Sequence, residues 1–372
     1  MPEILRTGLI LTAGQKSVVS IWREKASGPL HLIHLGYGAG SFLVPQIVKP
    51  FLSKRTAETS SQFFLHNCNN IGNVSSAQND TQLPDDGQEG ENNFENGYII
   101  VMAIILSVAS IYYAFFCCSR RQIQKSPNDQ IEAIKTAKEI FNFSSCSPGH
   151  PYYAAMILAF LVIWFYISAG GQMIFANYLY SYCRDMLCLD KDQAADIQSM
   201  FWIGFTAGRF AGFVVAMWAP MKILIFIEAG GNLISALVLF FNPRDVMIVK
   251  GFSLISGFFV GPLYPSGVAW ANRYITMTGL AYTITLIGAS LAGVSFTVAI
   301  GWYFEHKGPG AIWYFVIGYS CVACVTAIMM HLVARTRGDK YEREEDRDEG
   351  NGGPEGCKEE TNYTGELQTA DI

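Results

Sequence analysis

Lys250–Tyr274, KGFSLISGFFVGPLYPSGVAWANRY, is the stretch whose reading decides the fold. It is long and apolar enough to cross a bilayer, which takes roughly 20 mostly apolar residues. Pro262 and Pro265 fall in its middle; each removes a backbone donor and opposes a straight helix, so a helix break is expected there. Gly257, Gly261 and Gly267 let other backbones come close. Tyr264 and Ser266 bring hydroxyls to the same depth. An interrupted helix with polar groups at mid-membrane is stable only beside protein or a watery cavity. In secondary transporters such segments line the substrate path. A kinked packing helix is the plainer reading of the same residues.

Working outward, the 372-residue chain is 51% hydrophobic and only 15% charged. The apolar residues come in blocks of membrane-spanning length, near 30–52, 98–118, 151–177, 198–218, 222–241, 247–270, 278–302 and 311–334. These predict an all-α, multipass transmembrane bundle of about eight crossings. The net charge of −5 comes largely from an acidic stretch at 80–95 and an acidic tail, and gives no ground for a nucleic-acid partner. Residues 1–25 do not make a cleavable signal peptide, because Gly8–Ala13 is short and Lys16 follows closely. Trp22 followed by Arg23, Glu24 and Lys25 reads as a membrane edge, so residues 1–22 look like the end of a helix.

Two long polar segments set the expected topology. Residues 53–97 read as an outside loop with glycosylation acceptors at Asn73 and Asn79. Residues 119–150 begin Ser119-Arg120-Arg121 and read as cytoplasmic, because basic residues near span ends favour that side. The tail from 335 reads as cytoplasmic too. Cys183 and Cys188 share a short loop, where a disulfide and two free thiols are both open readings.

The block at 30–52 holds His31 and His34 on one helix face, then Gly36, Gly38 and Gly40. Gly36 and Gly40 have the small-xxx-small spacing of a close helix seam. Arg209 and Glu228 lie in antiparallel neighbouring spans joined by Ala219-Pro220-Met221, at depths differing by roughly 5 Å. They are expected to form an ion pair. A coupling-ion site at Glu228 is the functional alternative, since intramembrane acids mark ion pathways. Gln172 and Asn177 offer amides suited either to a hydroxyl-rich ligand or to inter-helix hydrogen bonds. No P-loop, nucleophile elbow or metal-ligand spacing is present, so neither an enzyme nor a metal or cofactor site is expected.

VGPLYPSGVAWANRYITMTG followed by LIGASLAGVSFTVAIGWYFE resembles the tenth and eleventh helices of the major facilitator superfamily, in its sodium-dependent glucose transporter 1-like branch. TAGRFAG at 206–212 is similar to the eighth helix, and IWREKASGPLHLIHLGYGAGSFLVPQIVKPFL to the fourth-to-fifth passage, with His34 opening helix five. The resemblance implies helices five to twelve. Residues 1–52 would be the remnant of helix four plus helix five, 98–118 helix six, and 151–334 a six-helix carboxyl-terminal half, between the loops 53–97 and 119–150 and the tail 335–372. Helices one to three would be missing. It implies alternating-access transport of a glucose-like hexose in the plasma membrane. Candidate ligand contacts are His34, Gln172, Asn177, Tyr264, Ser266 and Trp270, amide, hydroxyl and aromatic groups that suit a sugar. Sodium is the coupling ion the branch implies. Leu11, Gln15, Gly293 and Asn272 stand where the family pattern has polar or acidic residues, which removes oxygen ligands for it. The rival expectation is a transport-inactive membrane protein that partners a full-length relative.

Overall fold

The computed structural model describes residues 14–48, 94–120, 146–147 and 149–343. Its frame is eight long helices: α1 (Ser27–Val48), α2 (Phe94–Arg120), α3 (Pro151–Asp185), α4 (Lys191–Val215), α5 (Met221–Phe241), α6 (Val246–Tyr274), α7 (Gly279–Lys307) and α8 (Ile312–Arg335). Each coincides with an expected apolar block. Residues 14–22 are helical and lead through a short 3-10 turn, Arg23–Ala26, into α1. No strand occurs among the described residues. Among the described residues, five helical segments are long and apolar enough by themselves to cross a membrane: Pro151–Asp185, Met221–Phe241, Val246–Tyr274, Gly279–Lys307 and Pro309–Arg343. Asn73 and Asn79 lie outside the described residues, as do most of 119–150 and the tail beyond 343.

Local chemistry sets the helix ends. Pro151 stands in the first turn of α3, where a missing N–H costs nothing. The Asp190 carboxylate accepts from the Gln193 N–H at 2.7 Å and caps α4. Asp245 accepts from the N–H groups of Met247 and Ile248 at 2.9 and 3.1 Å and caps α6. Thr278 caps α7. Gly308, at φ 89°, ends α7 in a conformation that disfavours any side chain.

α6 is the hub, packed against α1, α3, α4 and α5. It corrects one expectation. Pro262 and Pro265 do not break it: the helix runs unbroken from Val246 to Tyr274 with both prolines buried inside. Its tightest neighbour is α4. A Cβ at Gly204 would stand 2.0 Å from the Leu254 carbonyl oxygen, and one at Gly208 1.9 Å from that of Phe258. The reverse holds on α6, where a Cβ at Gly257 would meet the Phe201 oxygen at 2.2 Å and one at Gly261 the Phe205 oxygen at 2.4 Å. Two small-xxx-small ladders therefore interlock backbone on backbone. On α1 the close approach runs through Gly38, whose Cβ would meet Thr206 Oγ1 at 2.9 Å, and not through Gly36 and Gly40, which face open space.

Aromatic clusters fill both ends of the bundle. Trp164, Phe165, Trp270, Tyr274 and Tyr282 pack at one, and Phe175, Tyr182, Phe201, Phe205 and Trp313 at the other. Outward faces are apolar as well. Ile287, Leu291, Val294 and Val298 form an exposed stripe along α7 at helical spacing, as a lipid-facing surface requires.

Candidate functional site

A cleft of about 680 Å³ opens between α1, α3 and α4. Tyr37, Ser41 and Val44 line it from α1, Met173 and Asn177 from α3, and Trp202 from α4. Gly36 and Gly40 lack side chains on this wall, which widens it. Gln172 stands beside the cleft and donates to the Tyr37 hydroxyl at 2.7 Å. Asn177 donates to Thr297 Oγ1 at 3.3 Å and remains exposed. The Tyr37 ring leans on Trp202 and Phe205, with centroids 6.4 and 6.2 Å away. The wall thus offers amides, hydroxyls and aromatic faces.

The opposite end of the bundle is shut by charges. Arg273, at the end of α6, pairs with Glu24 before α1 at 2.8 Å and with Asp339 after α8 at 2.9 Å. Asn272 donates to the Arg23 carbonyl at 3.1 Å and accepts from Lys340 at 3.3 Å. Gly40 is some three to four turns along α1 from that layer, roughly 20 Å. The charged layer and the cleft thus lie at different depths of the bundle.

Between cleft and closed end lies a buried polar core. Arg209 donates from Nε to the Gly261 carbonyl at 2.9 Å and from a terminal nitrogen to the His34 carbonyl. Its guanidinium lies over the rings of Phe205 and Tyr37, 4.2 and 5.2 Å from their centroids. Glu228 Oε1 accepts from the Ser266 hydroxyl at 2.7 Å, and Ser266 is also 3.1 Å from His31 Nε2. The expected Arg209–Glu228 ion pair is not formed. Consecutive in the chain, α4 and α5 each pack on α6 rather than on each other, so equal depth does not bring the two side chains together. Arg209 points to α1 and α6, while Glu228 points to Ser266.

The remaining candidates separate into two groups. Asn177 lines the cleft and Gln172 adjoins it. His34, Ser266 and Trp270 are 4%, 0% and 2% exposed and sit in the packed interior. His34 Nε2 lies 2.8 Å from the Gln15 amide, and its ring is 5.0 Å from that of Tyr264. Tyr264 packs in turn on Phe165. Trp270 packs against Tyr274 in the core, ring centroids 4.8 Å apart. Cys183 is a free buried thiol whereas Cys188 is disulfide-bonded, so these two are not joined to each other. Sequence reasoning missed Tyr37 and Trp202 as cleft walls and His31 as the partner of Ser266. The available signals were a tyrosine set among glycines in GYGAG and a histidine one turn before His34.

No protein-family model matches the chain. It is similar to the sodium-dependent glucose transporter 1 of Danio rerio, 22% identical over 327 residues, 87% of this chain and 51% of that protein. The sodium-dependent glucose transporter 1A of Mus musculus is 22% identical over 344 residues, 91% of this chain and 75% of its own length. The major facilitator superfamily domain-containing protein 4A of Mus musculus is 22% identical over 369 residues, 88% of this chain and 71% of that one. The chain is similar to proteins of the major facilitator superfamily. Its relatives there are those of the sodium-dependent glucose transporter 1-like branch, and it is an integral, multipass membrane protein. The chain spans about half the length of the Danio rerio relative. Among solved structures, it is similar to a crystal structure of the superfamily transporter FucP in the outward conformation. The TM-score is 0.48 at 13% identity, over 88% of this chain and 89% of that one.

Proposed function

We propose that this protein carries a glucose-like hexose across the plasma membrane by alternating access, with no covalent chemistry. The observation that carries the reading is an open cleft walled by Tyr37, Asn177 and Trp202, with the Arg273, Glu24 and Asp339 ion pairs at the other end of the helices. A volume near 680 Å³ falls within the range of small-molecule sites, about 300–1,000 Å³. Amides and hydroxyls suit sugar hydroxyl groups, and aromatic faces suit the apolar side of a pyranose ring. Relatives named sodium-dependent glucose transporters support the same substrate class. Uptake of radiolabelled hexose into proteoliposomes holding the purified chain tests it, and Asn177→Ala should lower that uptake. A run with and without a sodium gradient reads the coupling ion separately. Absence of uptake under every gradient would sink the proposal.

A second reading is favoured by one observation. Described side chains of α2, from Tyr98 to Tyr113, are mostly exposed, and α1 exposes Leu32, Tyr37 and Leu43. Apolar faces of that extent are covered by lipid or by another helical protein. The chain would then act as a transport-inactive partner of a full-length relative. Co-purification with such a relative, together with absent uptake by the chain alone, distinguishes this reading from the first.

A further inference from the structure

We propose that Glu228, Ser266 and His31 form a proton-binding site that latches α1 to α5 and α6. This goes beyond the transport reading and does not need the cargo to be a sugar. His31 Nδ1 lies 2.8 Å from the Ser27 carbonyl. A carbonyl only accepts, so Nδ1 carries a hydrogen, and Nε2 of the neutral ring is bare. Ser266 has one hydroxyl hydrogen and two neighbours, Glu228 Oε1 at 2.7 Å and His31 Nε2 at 3.1 Å. An ionised carboxylate and a bare imidazole nitrogen are both acceptors. One hydrogen cannot serve both.

One added proton resolves the count in either of two arrangements. With the proton on Glu228, the carboxyl donates to Ser266 and Ser266 donates to His31. With the proton on His31 Nε2, that nitrogen donates to Ser266 and Ser266 donates to Glu228. The two interconvert without rearranging heavy atoms. The O–H bond on Glu228 breaks as one forms on Ser266, and the proton leaving Ser266 bonds to His31 Nε2. Without the added proton Ser266 turns to the carboxylate, the stronger acceptor, and the link to α1 is lost.

The surroundings fit this role. Glu228, Ser266 and His31 are 2%, 0% and 0% exposed, and Glu228 Oε2 is buried without a hydrogen-bond partner. Gly212 leaves a slot for the imidazole, because a Cβ there would stand 2.5 Å from His31 Cδ2. The neighbouring polar groups are engaged elsewhere. Arg209 of α4 holds the Gly261 and His34 carbonyls, and His34 meets Gln15. Tyr264 of α6 faces His34. On α8, Tyr319 bonds Asn232 at 3.0 Å, and the His331 ring lies against Phe226. On α5, Lys222 lies over the Tyr274 ring.

The test follows the proton and the latch without using transport. Infrared difference spectra of the full chain in lipid nanodiscs are recorded from mildly acidic to mildly alkaline buffer. Backbone deuterium exchange over residues 27–35 is followed through the same titration. In the wild type a protonated-carboxyl band disappears as pH rises, and exchange at the start of α1 rises about tenfold in step, the effect of losing one buried hydrogen bond. Glu228→Gln should abolish the band. Ser266→Ala, which removes one oxygen and keeps the fold, should shift the band and make the exchange independent of pH. A band that survives in Glu228→Gln overturns the proposal. So does a band that Ser266→Ala leaves in place, or exchange that follows pH equally in the wild type and Ser266→Ala. Failure here leaves hexose uptake untouched, so the two readings fall separately.

Discussion

Arg209 donates to the carbonyl of Gly261 at 2.9 Å, and Gly261 is the residue four before Pro265. A proline has no N–H, so that carbonyl has no partner within its own helix. Arg209 supplies the missing donor from the next helix. This explains how α6 runs through Pro265 unbroken and why a cation without a carboxylate is tolerated there.

Arg209→Met should therefore destabilise by about 2–4 kcal/mol, leaving two buried carbonyls unsatisfied. Arg209→Lys should recover only part of the loss, because a single ammonium cannot reproduce the guanidinium fork. Because Arg209 and Glu228 do not pair, the double variant Arg209→Gln, Glu228→Gln should be no more stable than the worse single. Thermal unfolding in detergent measures these variants and the two Gln singles. A double variant clearly more stable than both singles would show that the charges do interact.

The interlocked glycines give a sharper contrast. Gly208→Ala and Gly257→Ala place a methyl group against a backbone carbonyl, at 1.9 and 2.2 Å. A backbone cannot rotate away, so α4 and α6 must separate, at a cost of about 1–3 kcal/mol or more. Gly230→Ala meets nothing within 4 Å and should be neutral or stabilising by up to about 1 kcal/mol. The same melting measurement checks the set.

Cleft and core should respond differently to aromatic truncation. Trp202→Ala should raise the apparent KM for hexose with a modest change in melting. Trp270→Ala, in the packed interior, should cost about 3–5 kcal/mol of stability. Uptake kinetics alongside unfolding temperatures separate these effects. Equal loss of stability in both would remove Trp202 from the cleft wall.

The charged layer should act as a gate more than a staple. Glu24 and Arg273 are partly exposed, at 51% and 26% of side-chain surface, so their pair contributes at most about 1 kcal/mol. Glu24→Gln should barely alter melting yet raise labelling of a cysteine placed at Asn272. Unchanged labelling would argue against gating at this end.

The eight apolar blocks and their order were legible in the sequence because spanning a bilayer is a local requirement. A run of some 20 apolar residues satisfies it whatever its neighbours do. Caps at Asp190, Asp245 and Thr278 were local too, since each partner lies within three residues. What only the tertiary structure decided is which side chain meets which. Successive helix positions turn by about 100°, so depth along a helix says nothing of the face presented. Arg209 and Glu228 share a depth and face different partners. Ser266, read as a ligand contact, is instead the hydroxyl between Glu228 and His31. Pro265, read as a break, is held in a continuous helix by a donor 56 residues earlier in the chain. In each case the deciding group comes from another helix, and no spacing along the chain encodes how two helices are rotated against each other.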